Sequence, residues 1–379
     1  MHPTRRRLLG ALAGGTGVSL AGCTGGRVPG VLGDGNDGAP ERAADADSLP
    51  DDAPPTAERG RHLAHSLANL RDASLGGGVG QDGIPSVDDP VFEPVAEADI
   101  DPLQPVFGVE RGGEAKAYPQ YILVWHEIVN DVLDGDRVAV TYCPLTGTAQ
   151  GFERGAAEFG VSGQLVNSNL IMYDRPTGSW WPQMLATGID GAMTGETLAE
   201  FRVVWTTFEE WAAEYPDAEV LTEETGYARR YGNDPYGSYV PLADYYADES
   251  TLFSPLAEPD EGHAKSVVLG ARTENGAVAF DKATLLEEAV MTATIPDGDP
   301  VVAVADPSLS TGHVYRNPEQ LDVSAHDGRY SVTGEGDDHY PDDLPLESVV
   351  AFDAMWFAWY GFYPDTEFAG DHTLPGDVS

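Results

Sequence analysis

The chain has 379 residues, of which 63 are acidic and 21 are basic, so its formal net charge is -42. Because there is no basic patch to neutralise phosphates, the composition excludes nucleic acid as a partner. Carboxylates in such excess repel one another unless counterions screen them. The charge therefore indicates adaptation to high salt, with the acidic residues on a solvated surface.

The N-terminus has the features of a twin-arginine export signal with a lipobox, which we assign to residues 1–23. Thr4-Arg-Arg-Arg-Leu-Leu9 overlaps an apolar run that is too short to be a good membrane span, and Leu20-Ala-Gly-Cys23 ends it. We expect Cys23 to carry a lipid and to become the first mature residue. The sequence thus predicts an extracytoplasmic protein anchored to membrane lipid, of haloarchaeal type.

Two segments precede the main domain. Residues 24–55 are rich in Gly, Asp, Ala and Pro and contain few large apolar residues, which predicts a disordered tether. Residues 56–102 form a lead-in that begins with a helix from Thr56 to Ala73. Thr56 suits the N-cap of this helix, and its apolar leucines recur at helical spacing.

The remainder of the chain contains an internal duplication. Gly113-Glu-Ala-Lys-Ala-Tyr118 aligns with Asn275-Gly-Ala-Val-Ala-Phe280, and the helical and strand segments that follow them occur in the same order. The two copies span 103–222 and 266–370, and a loop at 223–265 connects them. We predict a strand-rich α+β fold with two related tandem subdomains packed about a pseudo-twofold axis.

Comparison of the two copies locates the candidate site in the first one. His126 and Cys143 occur in the first copy, where the second has an acidic run at Glu287-Glu-Ala-Val and Asp306. A residue needed only for packing tends to survive in both copies. His126 and Cys143 are therefore assigned to a functional site, and the second copy is degenerate.

The sequence around Cys143 predicts thiol chemistry. Val138 to Tyr142 suits one buried strand, which Pro144 ends, so Cys143 is placed at a strand end before a turn. Backbone N–H groups of such a turn favour the thiolate, and the predicted pKa lies below the free value of about 8.5. Thr146 takes the place of a resolving cysteine in a C-x-x-T arrangement. A site with one cysteine can form a sulfenic acid or a mixed disulfide that an external thiol resets.

The candidate substrate-binding residues surround this strand. Arg154 and Arg175 stand out in a chain with few cations, and each suits a thiolate or a substrate anion, or else a surface ion pair. Trp180 and Trp181 lie in a turn rich in aromatic residues and suit either a pocket wall or the core. Asn167 completes the candidate set. The aromatic residues of the connecting loop suggest that the loop lies across the site.

Several motifs resemble an uncharacterised family, domain of unknown function 3179. They include Trp125-His-Glu-Ile-Val-Asn-Asp131, Thr141-Tyr-Cys-Pro-Leu-Thr-Gly-Thr148, Asn167-Ser-Asn-Leu-Ile-Met-Tyr-Asp-Arg175 and Tyr236-Gly-Ser-Tyr239, and the resemblance covers the chain from Asp82 to Thr366. Some relatives are described as selenoproteins, with selenocysteine at the place of Cys143. The resemblance therefore implies redox chemistry at Cys143 without naming a substrate.

Three functions follow from these observations. The favoured one is a thiol-dependent oxidoreductase that uses Cys143, Thr146 and His126 with a small-molecule or thiol partner. A second is a metal-binding or electron-transfer protein in which Cys143 and His126 bind copper, since a thiolate and an imidazole suit that ion. A third is a non-catalytic solute-binding lipoprotein that uses the aromatic turn.

Overall fold

The computed structural model describes residues 49–296, 298 and 300–370. Strands account for 39% of the structure and helices for 12%, which confirms the strand-rich α+β prediction. The predicted signal with Cys23, and the tether up to residue 48, lie outside the described residues. Leu49 and Ala53 pack against the core, so the packed chain begins inside the predicted tether. Within the described ranges, no helix has the length and apolar character needed to cross a bilayer.

The lead-in is less helical than the sequence predicts. It contains α1 (Leu67–Asp72), β1 (Leu75–Gly76) and β2 (Phe92–Pro94). The hydroxyl of Ser66 accepts a hydrogen bond from the Asn69 N–H and caps α1. The helix predicted over 56–73 therefore begins too early, because the preceding backbone bonds to distant segments instead. For example, the N–H of Ala57 donates to the carbonyl of Thr197.

The first half of the domain is built from three sheets. Its elements are β3 (Pro105–Arg111), β4 (Glu114–Pro119), α2 (Gln120–His126), β5 (Ile128–Leu133), β6 (Asp136–Cys143), β7 (Thr148–Glu153), β8 (Phe159–Val166), β9 (Asn169–Asp174), β10 (Trp180–Pro182), a 3-10 helix (Gln183–Leu185), β11 (Glu200–Phe201), β12 (Val204–Thr207), α3 (Phe208–Glu214) and β13 (Glu219–Leu221). The strand orders are β12-β3-β4-β13-β2, β11-β7-β6-β5 and β1-β8-β9-β10. The last six residues of β6 are buried, so this strand carries Cys143 into the interior.

The connecting segment and the second half follow. Their elements are β14 (Gly237–Tyr239), β15 (Leu242–Asp244), β16 (Val267–Arg272), β17 (Ala277–Asp281), α4 (Lys282–Glu288), β18 (Val290–Thr294), β19 (Pro300–Asp306), β20 (Thr311–Arg316), β21 (Val323–His326), β22 (Arg329–Val332), β23 (Ser348–Val349), β24 (Ala351–Met355), α5 (Trp356–Phe362) and β25 (Glu367–Ala369). The two larger sheets have the orders β24-β16-β17-β25 and β18-β19-β20-β23. The chain thus places a hairpin, a helix and a meander in each half.

The halves also share details of packing. In the first half the ring of Trp211 packs directly on Gly108, and in the second the ring of Trp359 packs on Gly270. A Cβ atom added to either glycine would lie 2.1 Å from that ring, so both contacts require glycine. The predicted internal duplication stays a prediction, since shared element order and packing do not by themselves establish common descent.

Each half places the turn after its central strand against the other half. The backbone N–H of Met355, just before α5, donates to the carbonyl oxygen of Thr146 at 2.9 Å. In the reciprocal contact, the hydroxyl of Ser310 donates to the carboxylate of Glu210 on α3. The turns at 143–148 and 306–311 are therefore both covered by the opposite half.

Candidate functional site

Cys143 is the last residue of β6, as the sequence predicts, but it is not near solvent. Its side chain is 1% exposed. The sulfur accepts a hydrogen bond from the N–H of Leu170 at 3.4 Å and lies 3.7 Å from the carbonyl oxygen of Ser168. The hairpin formed by β8 and β9 thus closes over the end of β6.

Burial changes the acidity of this thiol. Burial, together with the charge of the nearby Glu127 carboxyl group, raises the pKa of Cys143 to about 11. Hydrogen bonds from the hydroxyl and N–H of Thr146 and from the N–H of Leu170 act in the opposite direction but do not compensate. The sequence-based expectation of a lowered pKa is therefore wrong, because the turn after Cys143 is desolvated by the hairpin above it.

Glu127 is the residue at the site that the sequence interpretation missed. It ends α2 in the left-handed conformation with φ 59°, and its backbone is fixed at both ends. Its N–H donates to the Leu123 carbonyl at 2.7 Å, and its carbonyl accepts from the Tyr142 N–H at 2.7 Å. The equivalent position in the second half is Ala289, with φ 66°. The absence of a carboxyl group at the corresponding position of the second half is the signal that could have identified Glu127.

The carboxyl group of Glu127 is held in an apolar environment. The residue is 6% exposed, and no hydrogen bond to its carboxyl group is found among the described residues. Burial raises the pKa of Glu127 to about 8. The side chain is consequently a neutral carboxylic acid at pH 7, able to donate a hydrogen bond as well as to accept one.

Glu127 lines a pocket of about 220 Å³. The lead-in, the β8–β9 hairpin and the connecting segment form its wall, and the apolar contacts come from Leu145, Leu165, Leu170, Leu252 and Phe253. Tyr236 also lines it, and burial is the main cause that raises the pKa of this phenol, with smaller contributions from Glu127 and Cys143 in their ionised forms. The connecting segment therefore does lie across the site. Cys143 sits behind the wall, next to Leu145 and Leu170.

His126 faces away from this pocket and has no free ring nitrogen. Nδ1 lies 2.8 Å from the carbonyl oxygen of Pro85, and Nε2 lies 2.7 Å from the hydroxyl of Tyr231. Burial lowers the pKa of His126 to about 4, so the ring is neutral at pH 7. Both nitrogens are already used, which does not fit the copper interpretation with Cys143. Over the described part of the chain, no group of three or more His, Cys, Asp or Glu side chains is arranged to hold a metal ion.

The two candidate arginines are engaged elsewhere in the fold. The guanidinium of Arg154 donates to the backbone carbonyls of Asp131, Val138 and Ala157, at 2.8 to 3.3 Å. Arg175 pairs with the carboxylates of Asp88 and Glu158 and donates to the hydroxyl of Ser86. Neither arginine lines the pocket, so the expected support of a thiolate or a substrate anion is not found.

The remaining candidates are Trp180 and Trp181, which pack in the core, and Asn167, whose side chain joins the β8–β9 turn to other segments. We call this contact of Asn167 the clasp. Trp181 is buried and donates its Nε1–H to Asp174 at 2.9 Å, while Trp180 is partly buried in the same strand. Asn167 donates to the carbonyl of Ala358 in α5 at 2.7 Å and accepts from the N–H of Leu256 at 2.9 Å. These three residues build the surroundings of the site and do not line its pocket. Of the predicted set, the structure brings only Thr146 next to Cys143.

Comparison with known proteins identifies a family for this arrangement. Residues 81–366 match the family described as "Protein of unknown function (DUF3179)". This span contains both halves and every residue that lines the pocket except Gly77 and Val79. No curated protein and no solved structure matches the chain.

Proposed function

The chain belongs to the DUF3179 family, whose description names no activity, and we propose that it binds a small, mainly apolar molecule beside Glu127. The ligand is a neutral molecule that carries one hydrogen-bonding group, such as a carbonyl. In this proposal Glu127 is the polar contact and the leucine and phenylalanine side chains enclose the apolar body. This is the solute-binding interpretation, moved from the aromatic turn to the apolar pocket.

The observation that carries the proposal is the carboxyl group of Glu127, which has no hydrogen-bond partner among the described residues and borders the pocket. A desolvated polar group without a partner costs about 1–3 kcal/mol, so such groups are rare unless they have a role. The residue is 6% exposed, and the cavity that it lines is mainly apolar. A ligand carbonyl that accepts the Glu127 O–H would recover this cost.

The size of the pocket sets the size of the ligand. An apolar cavity of about 150 Å³ accommodates benzene. A pocket of about 220 Å³ therefore suits a substituted six-membered ring or a short branched chain. Lipids with long chains and nucleotides are too large for it.

Ligand-observed NMR in molar NaCl tests the proposal with two probes of similar shape. Acetophenone has a carbonyl acceptor, whereas ethylbenzene does not. We expect acetophenone to bind at least tenfold more tightly at pH 7. Glu127→Gln should retain this preference because the amide also donates, and Glu127→Leu should abolish it.

Glu97→Gln, a change of an exposed carboxyl group, is the matched control and should leave binding of both probes unchanged. Equal binding of the two probes by the unmodified protein would remove Glu127 from recognition. Failure of both probes to bind would sink the pocket assignment.

A second candidate is redox chemistry at Cys143, favoured by the three donors at its sulfur. The hydroxyl and N–H of Thr146 and the N–H of Leu170 stabilise a thiolate once it forms. Attack of that thiolate on an organic hydroperoxide would break the O–O bond, form a sulfenic acid and release an alcohol. A first external thiol would then convert the sulfenic acid to a mixed disulfide with loss of water, and a second would release the Cys143 thiol and leave as the external disulfide.

Dimedone labelling followed by mass spectrometry tests this second function. Folded protein treated with cumene hydroperoxide should give an adduct at Cys143, and Cys143→Ser should give none. If only unfolded protein is labelled, Cys143 is structural and ligand binding alone remains.

We further propose that the protein is lipid-anchored outside the cytoplasm through Cys23, on the basis of the signal and lipobox sequence. Cys23→Ser should release the protein from the membrane or leave it unprocessed. A variant that stays membrane-bound at its mature size would contradict the anchor.

A further inference from the structure

A second cavity, of about 460 Å³, lies between the two halves of the domain. Its wall comes from β11, β12 and α3 of the first half and from β20 and the end of β19 in the second. Asp306, which ends β19 as Cys143 ends β6, is part of this wall. The cavity is distinct from the Glu127 pocket and has no lining residue in common with it.

Arg202 is the unusual residue of this cavity. Arg202 is partly buried, and its Nη2 donates to the hydroxyl of Thr311 at 3.0 Å. Nε is buried without any hydrogen-bond acceptor among the residues described. No carboxylate in the same ranges lies within ion-pair distance of Arg202, although Asp353, Asp306 and Asp342 are near enough for their charges to raise its pKa against the lowering by burial. The guanidinium therefore has N–H groups left to bind a ligand, and a carboxylate is the acceptor that matches its planar fork.

Arg272 shows how an arginine in the same fold pairs with a carboxylate, although its Nε also has no acceptor among the described residues. It is fully buried, and its Nη2 lies 2.9 Å from a carboxylate oxygen of Glu200. Glu200 also pairs with Arg61 at 2.8 Å. The fold therefore places a carboxylate beside one arginine and leaves the other facing a cavity. The missing acceptor at Arg202 points to a ligand that brings its own carboxylate.

Four acidic residues line the cavity, and those not paired with an arginine, Glu110, Asp306 and Asp342, restrict the charge of that ligand. Asp306 accepts from the N–H and the hydroxyl of Ser308, and Nε2 of His313 lies 3.5 Å from it. Asp342 is an exposed lining residue. These negative charges repel a dianion such as phosphate but attract an ammonium group. A ligand with one carboxylate and one ammonium is complementary to Arg202 and to these carboxylates.

The rest of the wall is suited to an apolar side chain. Trp211, Leu309, Val314 and Phe201 contribute to it. The indole Nε1 of Trp211 is buried and has no acceptor within the described ranges. A volume of about 460 Å³ falls within the usual range for small-molecule sites, roughly 300–1,000 Å³.

We propose that this inter-half cavity binds an α-amino acid with an apolar side chain. The ligand carboxylate pairs with Arg202, and its ammonium group lies on the side of Asp306 and Asp342. Trp211 and Leu309 contact the apolar side chain. This site does not depend on the pocket at Glu127.

Isothermal titration calorimetry in molar NaCl tests this with three probes that share one carbon skeleton. L-leucine carries both charges, L-leucinamide lacks the carboxylate, and 4-methylpentanoate lacks the ammonium group. We expect leucine to bind at least tenfold more tightly than either analogue. Comparable affinity of 4-methylpentanoate would overturn the assignment of the ammonium site, and absence of leucine binding would overturn the whole proposal.

Variants locate the binding in the cavity. Arg202→Gln should weaken the binding of leucine at least tenfold. Arg230→Gln changes an exposed arginine in the connecting segment and should leave leucine affinity unchanged. If Arg202→Gln does not fold, Asp342→Asn supplies the test because Asp342 is exposed. Asp342→Asn should weaken the binding of leucine severalfold, while the affinity for 4-methylpentanoate should stay the same or increase. Unchanged leucine affinity in Arg202→Gln, or in Asp342→Asn, would contradict the proposed contacts.

Discussion

At the scale of single residues, Glu127 and His126 are neighbours whose acidities are shifted in opposite directions by the same cause. Burial disfavours the charged form of each, so the pKa of the Glu127 carboxyl rises to about 8 and that of the His126 ring falls to about 4. Both side chains are consequently neutral at pH 7. Uncharged side chains of Glu127 and His126 suit the end of α2, because Cys143 and the apolar pocket lie nearby.

The first prediction concerns the pH dependence of stability. Folded protein retains the Glu127 proton between its ordinary pKa of 4.5 and about 8, while the unfolded chain loses it. The free energy of unfolding should therefore fall as pH rises through this interval, by about 1.4 kcal/mol per pH unit from this group. His126, shifted from 6.5 to about 4, gives the opposite slope below 6.5. The two slopes offset each other below pH 6.5, so the net loss of unfolding free energy appears between pH 6.5 and 8.

Urea denaturation of the protein in molar salt at several pH values measures this. Glu127→Gln should remove the loss between pH 6.5 and 8, because an amide does not titrate. Glu97→Gln should retain it. A loss of the same size in Glu127→Gln would show that another group is responsible.

The second prediction concerns the reactivity of Cys143. A thiol with a pKa of about 11 and 1% exposure should react with iodoacetamide far more slowly at pH 7 than glutathione does in the same solution. The unfolded protein should react at the ordinary rate. Rapid labelling of the folded protein, followed by mass spectrometry, would instead support an accessible thiolate and the redox function.

At the scale of elements, the turn between β8 and β9 joins the site to the second half. Asn167 and Ser168 both have positive φ, 55° and 61°, as a tight hairpin turn requires. The side chain of Asn167 holds this turn against α5 and the connecting segment, while the backbone of Ser168 lies over the sulfur of Cys143. The clasp therefore helps to exclude water from the thiol.

The third prediction is that Asn167→Ala loosens this clasp. The change leaves the Ala358 carbonyl and the Leu256 N–H without their partner and replaces a residue that tolerates positive φ. It should lower the free energy of unfolding by about 2–3 kcal/mol. Alkylation of Cys143 should also become faster.

Denaturation and labelling of the same samples measure both effects. Asn233→Ala, in an exposed turn of the connecting segment, is the control and should change the free energy of unfolding by about 0.5 kcal/mol or less. If Asn167→Ala destabilises the protein without faster labelling, the turn does not protect Cys143.

At the scale of the whole molecule, the excess of acidic residues gives a formal net charge of -42. The described carboxylates greatly outnumber the cations, and several cations are shared between acidic partners, as Arg111 is between Asp136 and Glu153. Cations thus neutralise only part of the acidic surface. We predict that counterions from the solvent screen the remainder.

The fourth prediction is that stability depends strongly on salt. Far-UV circular dichroism should show loss of structure as NaCl is lowered from molar to millimolar concentration, because repulsion among carboxylates is no longer screened. Restoring the salt should restore the spectrum. An unchanged spectrum at millimolar salt would contradict the high-salt interpretation.

The strand-rich fold, the family motifs and the position of Cys143 at the end of a strand beside Thr146 could all be predicted from the sequence. These properties depend on local patterns, such as alternating residues before Pro144, which neighbours along the chain suffice to define. The burial and raised pKa of Cys143, the binding of Arg154 by backbone carbonyls and the position of Glu127 at the pocket became evident from the folded protein alone. Each of these outcomes depends on desolvation or contact by segments distant in sequence, including the turn at Ser168 and the connecting residues Tyr236 and Phe253. Such contacts set the pKa of a group, and the spacing of residues along the chain does not reveal these contacts.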